Sequence, residues 1–202
     1  MSMVPIHELF GPTIQGEGRW CGKLVNFVRL SGCPVGCPWC DTGYANGGKG
    51  LPREYWEVTD IVESVTTTRA VISGGEPYIH RNLPDLVTAL VKAGKTVAIE
   101  TSGAFWQPIG GVWVTLSPKH HVSAQYPVRP EFWSRADEVK LVVETGQEPD
   151  FYGSLLRQFK GPVYLQPQWE NLEGSLVQCL DLLEQHPDWT LSIQSHKFLG
   201  VR

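Results

Sequence analysis

Cys33, Cys37 and Cys40 stand in the run Gly32-Cys33-Pro34-Val35-Gly36-Cys37-Pro38-Trp39-Cys40-Asp41-Thr42, a Cys-x3-Cys-x2-Cys triplet. Thiolates are the usual ligands of iron–sulfur clusters, and three of them on one tight loop can hold three corners of a [4Fe–4S] cube. The fourth iron then lacks a protein ligand, which makes it a place for chemistry. The alternatives are a structural zinc site and buried free thiols. Zinc fingers and ribbons bring a second Cys-x2-Cys pair or two histidines and close with four ligands. No second cysteine pair lies downstream in this chain. A disulfide suits three clustered cysteines poorly, and the chain shows no secretory signal.

Further polar motifs carry groups able to hold a ligand. Ser73-Gly74-Gly75-Glu76-Pro77 has two glycines that let the backbone approach a bound molecule, although a plain strand-to-helix turn has the same composition. Ser117-Pro118-Lys119 and Gln166-Pro167-Gln168-Trp169 offer hydrogen bonds, which could instead cap local backbone. Trp39 could flank an aromatic ligand or be a partly buried loop ring. Arg29 presents a fork shaped for a carboxylate, with a strand arginine paired to a nearby acid as the alternative. Asp41-Thr42 reads, on composition alone, as a turn after the Cys loop. His120-His121 has no adjacent carboxylate and reads as polar surface.

The elements that must position these groups follow from periodicity. Short β-branched runs at residues 24–30, 70–73, 96–100, 112–116, 138–143, 163–166 and 190–194 alternate with helical patterns at 59–68, 82–93, 149–159 and 172–186. That alternation is the mark of βα units around a parallel sheet. Asn82 and Asp85 read as an N-cap and a first-turn charge, Gly94 as a C′ glycine, and Gly161-Pro162 as a helix stop. The connection between residues 100 and 112, with Gly103, Pro108, Gly110 and Gly111, leaves little room for a helix. Seven strands with about four helices predict an α/β fold, an incomplete, trimmed parallel β/α barrel in one domain. Each polar motif begins at the C-terminal end of a strand, the rim where active sites of such folds assemble.

The 202 residues suffice for a sizeable core, and 42% hydrophobic with 19% charged residues is ordinary for a globular enzyme. The net charge of −4 and the lack of a basic run exclude an electrostatic footprint for nucleic acid. No apolar stretch approaches the roughly 20 residues of a membrane span. A reducing cytoplasm is the expected location. Cys179 falls on the apolar face of the 172–186 pattern and reads as a core residue. Cys21 lies in a turn with no visible partner.

With the Cys triplet and Gly74-Gly75-Glu76-Pro77, the chain resembles the radical S-adenosylmethionine (SAM) enzymes. Thr13-Ile14-Gln15-Gly16-Glu17-Gly18, Phe27-Val28-Arg29-Leu30-Ser31-Gly32-Cys33, Cys40-Asp41-Thr42 and Ser192-Ile193-Gln194-Ser195-His196-Lys197-Phe198 narrow the resemblance to the 7-carboxy-7-deazaguanine synthase family. It implies a [4Fe–4S] cluster on Cys33, Cys37 and Cys40, reductive cleavage of SAM, and ring contraction of 6-carboxy-5,6,7,8-tetrahydropterin with release of ammonia, in queuosine-type 7-deazapurine biosynthesis. It implies SAM contacts from Trp39, Cys40, Asp41, Gly74, Gly75, Glu76, Ser117, Pro118, Lys119, Gln166, Pro167, Gln168 and Trp169. Ile14, Gln15 and Gly16 would hold the pterin, with Glu17 at its guanidine-like edge and Arg29 on its carboxylate. Ser73, in place of a threonine common in the family, would keep a hydroxyl on the substrate, and His196 and Arg202 would close the pocket. Thr42 would ligate Mg²⁺. The nearest alternative is another small radical SAM enzyme, such as a glycyl-radical activase. An electron donor such as flavodoxin is the expected partner. Sheet edges exposed by a trimmed barrel point to a homodimer.

Overall fold

The computed structural model describes residues 2–202. Nine strands form one open sheet in the order β3-β1-β2-β4-β5-β6-β7-β8-β9. Seven are the strands the periodicity predicts: β2 (Leu24–Leu30), β4 (Arg69–Gly74), β5 (Thr96–Thr101), β6 (Trp113–Leu116), β7 (Glu138–Val143), β8 (Val163–Pro167) and β9 (Thr190–Leu191, which stops short of the expected residue 194), all mutually parallel along the sheet. The other two are additions. The twelve-residue β1 (Met3–Ile14) pairs antiparallel with β2 and with the short β3 (Glu54–Glu57). Burial along β1 runs in blocks, with Val4, Pro5 and Ile6 buried in succession, so it lacks the period-2 signal of a half-buried strand.

Alternation along the parallel strands separates two faces. Ala70 and Ile72 of β4, Val97 and Ile99 of β5, Val139, Leu141 and Val143 of β7, and Val163 and Leu165 of β8 join one apolar cluster. The helices α1 (Val58–Ser64), α2 (Leu83–Lys92), α4 (Glu148–Gln158) and α5 (Leu172–Gln185) supply Ile61, Leu83, Leu86, Leu90, Tyr152, Leu156, Cys179 and Leu182 to the same cluster. Cys179 is therefore a core thiol. The residues between these positions face inwards. Low on that face Val25, Val71 and Ala98 form a small second cluster, and above them the side chains become polar.

Helical details differ from expectation at several points. Helix α1 ends at Ser64, short of residue 68. Asn82 makes no side-chain cap; its amide donates to the Met3 carbonyl at 2.8 Å and ties β1 to the start of α2. Gly94 does adopt a left-handed conformation (φ 78°) after α2. Helix α4 is kinked where Gly153 has φ 47°, and it stops at Gln158 with Phe159 extended, before Gly161. The six-residue α3 (Pro130–Arg135) precedes β7, and the five-residue α6 (Ser195–Leu199) follows β9. Among the described residues no helix spans 102–112 and none is long and apolar enough to cross a membrane.

Candidate active site

The C-terminal ends of the parallel strands surround one pocket, and the Cys triplet lies on its wall. Cys33, Cys37 and Cys40 all line it, and all are free thiols. The loop is braced from two sides. The Tyr44 hydroxyl accepts the Gly32 N–H at 2.9 Å, and the Glu76 N–H donates to the Gly32 carbonyl at 2.9 Å. Gly74 (φ 132°) and Gly75 permit this approach, since a Cβ on either would collide with the backbone of Leu30 or Gly32. Burial pushes the Cys33 thiol up to about 11 and also raises Cys37. Burial thus favours the thiol form of Cys33 and Cys37, and metal binding has to displace their protons. The donor set fits a [4Fe–4S] cluster with one iron open. No group of three or more His, Cys, Asp or Glu that could hold a single metal ion occurs among the described residues.

Glu76 lines the pocket, but its carboxylate is spent internally. It accepts from Thr101 Oγ1 at 2.6 Å, Ser102 N–H at 2.8 Å, Tyr78 N–H at 3.1 Å and the Ser102 hydroxyl, which locks the loop after β4 to the end of β5. Lys119 donates to the Ser117 hydroxyl at 2.6 Å and carbonyl at 2.8 Å, and lies 5.6 Å above the Trp39 ring. Gln168 Oε1 accepts the Asn171 N–H at 2.6 Å, so this side chain does cap local backbone. The Ser73 hydroxyl, Gln166 Oε1 and Trp39 Nε1 are buried without a protein partner. Such orphaned groups on a pocket wall fit a polar ligand.

A second part of the lining is an ionic cluster. Glu17 is ion-paired with Lys140 of β7 and accepts from Gln194 Nε2 at 2.7 Å. Lys140 also lies 3.6 Å from Glu100 of β5, which accepts from Gln15 Nε2 at 2.8 Å. Burial alone would raise the Glu17 carboxyl, but the Lys140 charge and hydrogen bond outweigh it and bring the group down to about 2. Burial likewise opposes the ammonium of Lys140, and the Glu100 and Glu17 carboxylates overcome it, so the lysine stays charged. The segment 192–202 folds over this wall. Ser195 N–H donates to the Gly16 carbonyl at 3.1 Å, and Gly18 N–H to Ser192 Oγ at 2.9 Å. Cys21, expected to be without a partner, has its sulfur 3.4 Å from Ser195 Oγ.

Arg29 contacts Glu8 at 3.3 Å and donates to Thr42 Oγ1 at 3.2 Å, while Arg202 pairs with the same Glu8. The nearby-acid alternative for Arg29 is thus realised, with its guanidinium still on the pocket wall. Of the site residues read from the sequence, Gly16 and Pro118 do not line the pocket; Gly16 lies behind it against the His196 ring. His121 is not free surface: its Nδ1 lies 2.7 Å from the Tyr152 hydroxyl, and burial lowers it to about 4. Glu100 belongs to a polar motif, Glu100–Gly103, that the sequence places at a strand end on this rim, whereas Lys140, Gln194 and Glu8 escaped sequence reasoning as site groups. Their signal is weak, a charged or amide residue at an inward position of a strand or in the segment after β9, visible only once inward and outward faces are known.

A model of the Radical SAM superfamily matches residues 27–107. The 7-carboxy-7-deazaguanine synthase of Synechocystis sp. is 36% identical over 218 aligned residues, covering 100% of both chains. That of Escherichia coli strain K12 is 32% identical, covering 98% of both. The crystal structure of QueE from Escherichia coli superposes with a TM-score of 0.78 at 30% identity, covering 95% of this chain and 93% of that one. Streptococcus suis SuiB bound to S-adenosylmethionine, at 13% identity and a TM-score of 0.51, shares the fold. Identity of this level over the full length, joined to the Cys triplet and its pocket, places the chain in the 7-carboxy-7-deazaguanine synthase family of radical SAM enzymes.

Proposed function

We propose that this chain converts 6-carboxy-5,6,7,8-tetrahydropterin to 7-carboxy-7-deazaguanine with release of ammonia, acting in queuosine-type 7-deazapurine biosynthesis. The observation that carries the reading is one pocket lined both by a cysteine triplet and by the Glu17 and Arg29 side chains. When bound, the cluster and SAM supply an electron and a 5′-deoxyadenosyl radical for hydrogen abstraction. Cys33, Cys37 and Cys40 hold the cluster. The backbone of Gly74 and Gly75, with Trp39, Cys40, Asp41, Glu76, Ser117, Pro118, Lys119, Gln166, Pro167, Gln168 and Trp169, forms the SAM side, where Glu76, Pro118 and Gln168 act by shaping backbone.

On the substrate side Glu17 accepts N–H groups from the pterin's guanidine-like edge, and Ile14, Gln15 and Gly16 shape its seat. Arg29 turns from Glu8 towards the substrate carboxylate, Ser73 offers its unpaired hydroxyl, and His196 and Arg202 close over the site. Thr42 is the proposed Mg²⁺ ligand. Its hydroxyl now faces the Arg29 guanidinium, so a divalent cation there is acquired with the substrate carboxylate, whose charge offsets both. The chain works as one core domain with a substrate-binding segment at 13–18 and a closing segment at 192–202. A homodimer in a reducing cytoplasm, reduced by a flavodoxin-like donor, completes the reading. The test is anaerobic incubation of reconstituted protein with SAM, reductant and the carboxytetrahydropterin, followed by mass analysis. Formation of the deazaguanine acid is expected; SAM cleavage with no such product overturns the assignment.

A further inference from the structure

The inner face of a β/α barrel is ordinarily filled by branched apolar side chains, yet here a lysine stands inside it. Lys140 is 4% exposed and touches two carboxylates from different parts of the chain, Glu17 in the loop after β1 and Glu100 on β5. A buried cation that meets two anions is expensive unless each partner is itself held. Here each is: Gln194 and Gln15 donate to Glu17 and Glu100. We propose that Lys140 is a positioning residue of the substrate site, which keeps Glu17 a pure hydrogen-bond acceptor and so selects a ring with a 2-amino-4-oxo edge over one with a 2,4-dioxo edge. The inference rests on the pterin reading of the pocket and adds to it the group that sets specificity.

The chemistry is that of one carboxyl in two forms. An ionised carboxylate has only acceptor sites and matches an edge with an amino group and a ring N–H, both donors. A protonated carboxyl carries a donor as well, and matches an edge on which an oxo group replaces the amine. Which form is present depends on Lys140. The other charged groups facing Glu17 are His196 from α6 and Lys119 from the loop after β6, and those facing Lys140 include Glu138, two residues before it on β7. Glu138 accepts from Thr115 Oγ1 at 2.7 Å and the Arg19 N–H at 3.1 Å, and burial raises its carboxyl towards the neutral form. Without Lys140, burial would favour protonation of Glu17.

The experiment is equilibrium binding of two stable probes, 6-carboxypterin and 6-carboxylumazine, to reconstituted holoenzyme with SAM, from pH 6 to 8.5. The wild type should prefer the pterin about tenfold or more across this range, the magnitude of a hydrogen bond to a charged group. Lys140→Met should lose that preference towards pH 6 and recover part of it at pH 8.5, and Lys140→Arg should restore it. Lys140→Met/Glu100→Gln removes one charge of each sign, guarding against a fold damaged by an unpaired carboxylate, and should show the same low-pH loss. An intact preference in either Met-containing protein at pH 6 overturns the role of Lys140. A wild type that does not distinguish the probes overturns instead the placement of a pterin edge on Glu17.

Discussion

The wall of the pocket that carries the Cys loop and the wall around Lys140 are assembled differently. The first is made of short contiguous motifs, each on one strand-end loop, and joined by backbone hydrogen bonds such as Glu76 N–H to the Gly32 carbonyl. The second is made of single side chains brought from the segment after β1, from β5, from β7 and from the segment after β9, joined chiefly through those side chains. A wall built of short motifs depends on its glycines, its ligands and the one carboxylate, Glu76, that ties its loops together. A wall built of side chains depends on charge balance, and each member depends on the others.

Removing a member of the first wall should have the larger effect. Cys37→Ala is expected to lose the cluster and all turnover, while Cys179→Ala keeps both; iron content, visible absorbance and product formation measure this. Glu76→Ala leaves the Thr101, Ser102 and Tyr78 donors without an acceptor in a buried place, so denaturant unfolding should show a loss of about 3 kcal/mol. A neutral result would mean that the loop after β4 is held by its backbone alone.

The second wall should reveal itself through pH. Glu17 is depressed to about 2 in the folded protein against about 4.3 when unfolded. Its contribution to stability is therefore present above about pH 4.3 and lost as pH falls through 2. Acid unfolding of the wild type should be steeper over that window than that of Glu17→Gln, and equal slopes would contradict the pairing. His121 acts in the same sense at higher pH: lowered to about 4, it favours the fold above its unfolded value near 6.5 and withdraws that support as pH falls to 4. A subtler break is Thr42→Ala, which should keep cluster and SAM cleavage but lose the response of product formation to added Mg²⁺. Superimposable Mg²⁺ titrations would leave Thr42 as a turn residue that accepts from Arg29. Smallest is Asn82→Ala, an exposed hydrogen bond worth about 0.5–1 kcal/mol and without effect on turnover.

The difference between the walls also explains what the chain discloses before it is folded. The parallel strands were legible because β-branched runs between turn residues leave a local trace, and the Cys loop and Gly74-Gly75-Glu76 because their chemistry is packed into a few consecutive positions. β1 was missed because its buried and exposed positions come in blocks, and a helix was read unbroken through Gly153 because one glycine seldom overrides periodicity. Lys140 could not be read because Glu138-Val139-Lys140-Leu141 alternates as an amphipathic strand with solvated charges would. Only the sheet topology shows that the charged side faces Glu17 and Glu100 rather than water. Cys21 and His121 gained partners through contacts that sequence spacing does not encode.

The contact between Ser195 and the Gly16 carbonyl joins positions 179 residues apart. The strands that bear the Cys loop and the glycine loop, by contrast, lie next to one another in the sheet and close together along the chain. A growing polypeptide has the Cys loop, the glycine loop and the Thr101–Ser102 anchor of Glu76 with about half its length synthesised, and the wall around Lys140 only when residues 192–197 arrive. Closing so long a loop costs little more than closing one of half the length, about 0.6 kcal/mol per doubling, so the late joint is slow rather than weak. Order of synthesis thus sets an order of assembly: the three cysteines leave the ribosome long before residues 192–197, and the pocket lining is complete only when that last segment docks.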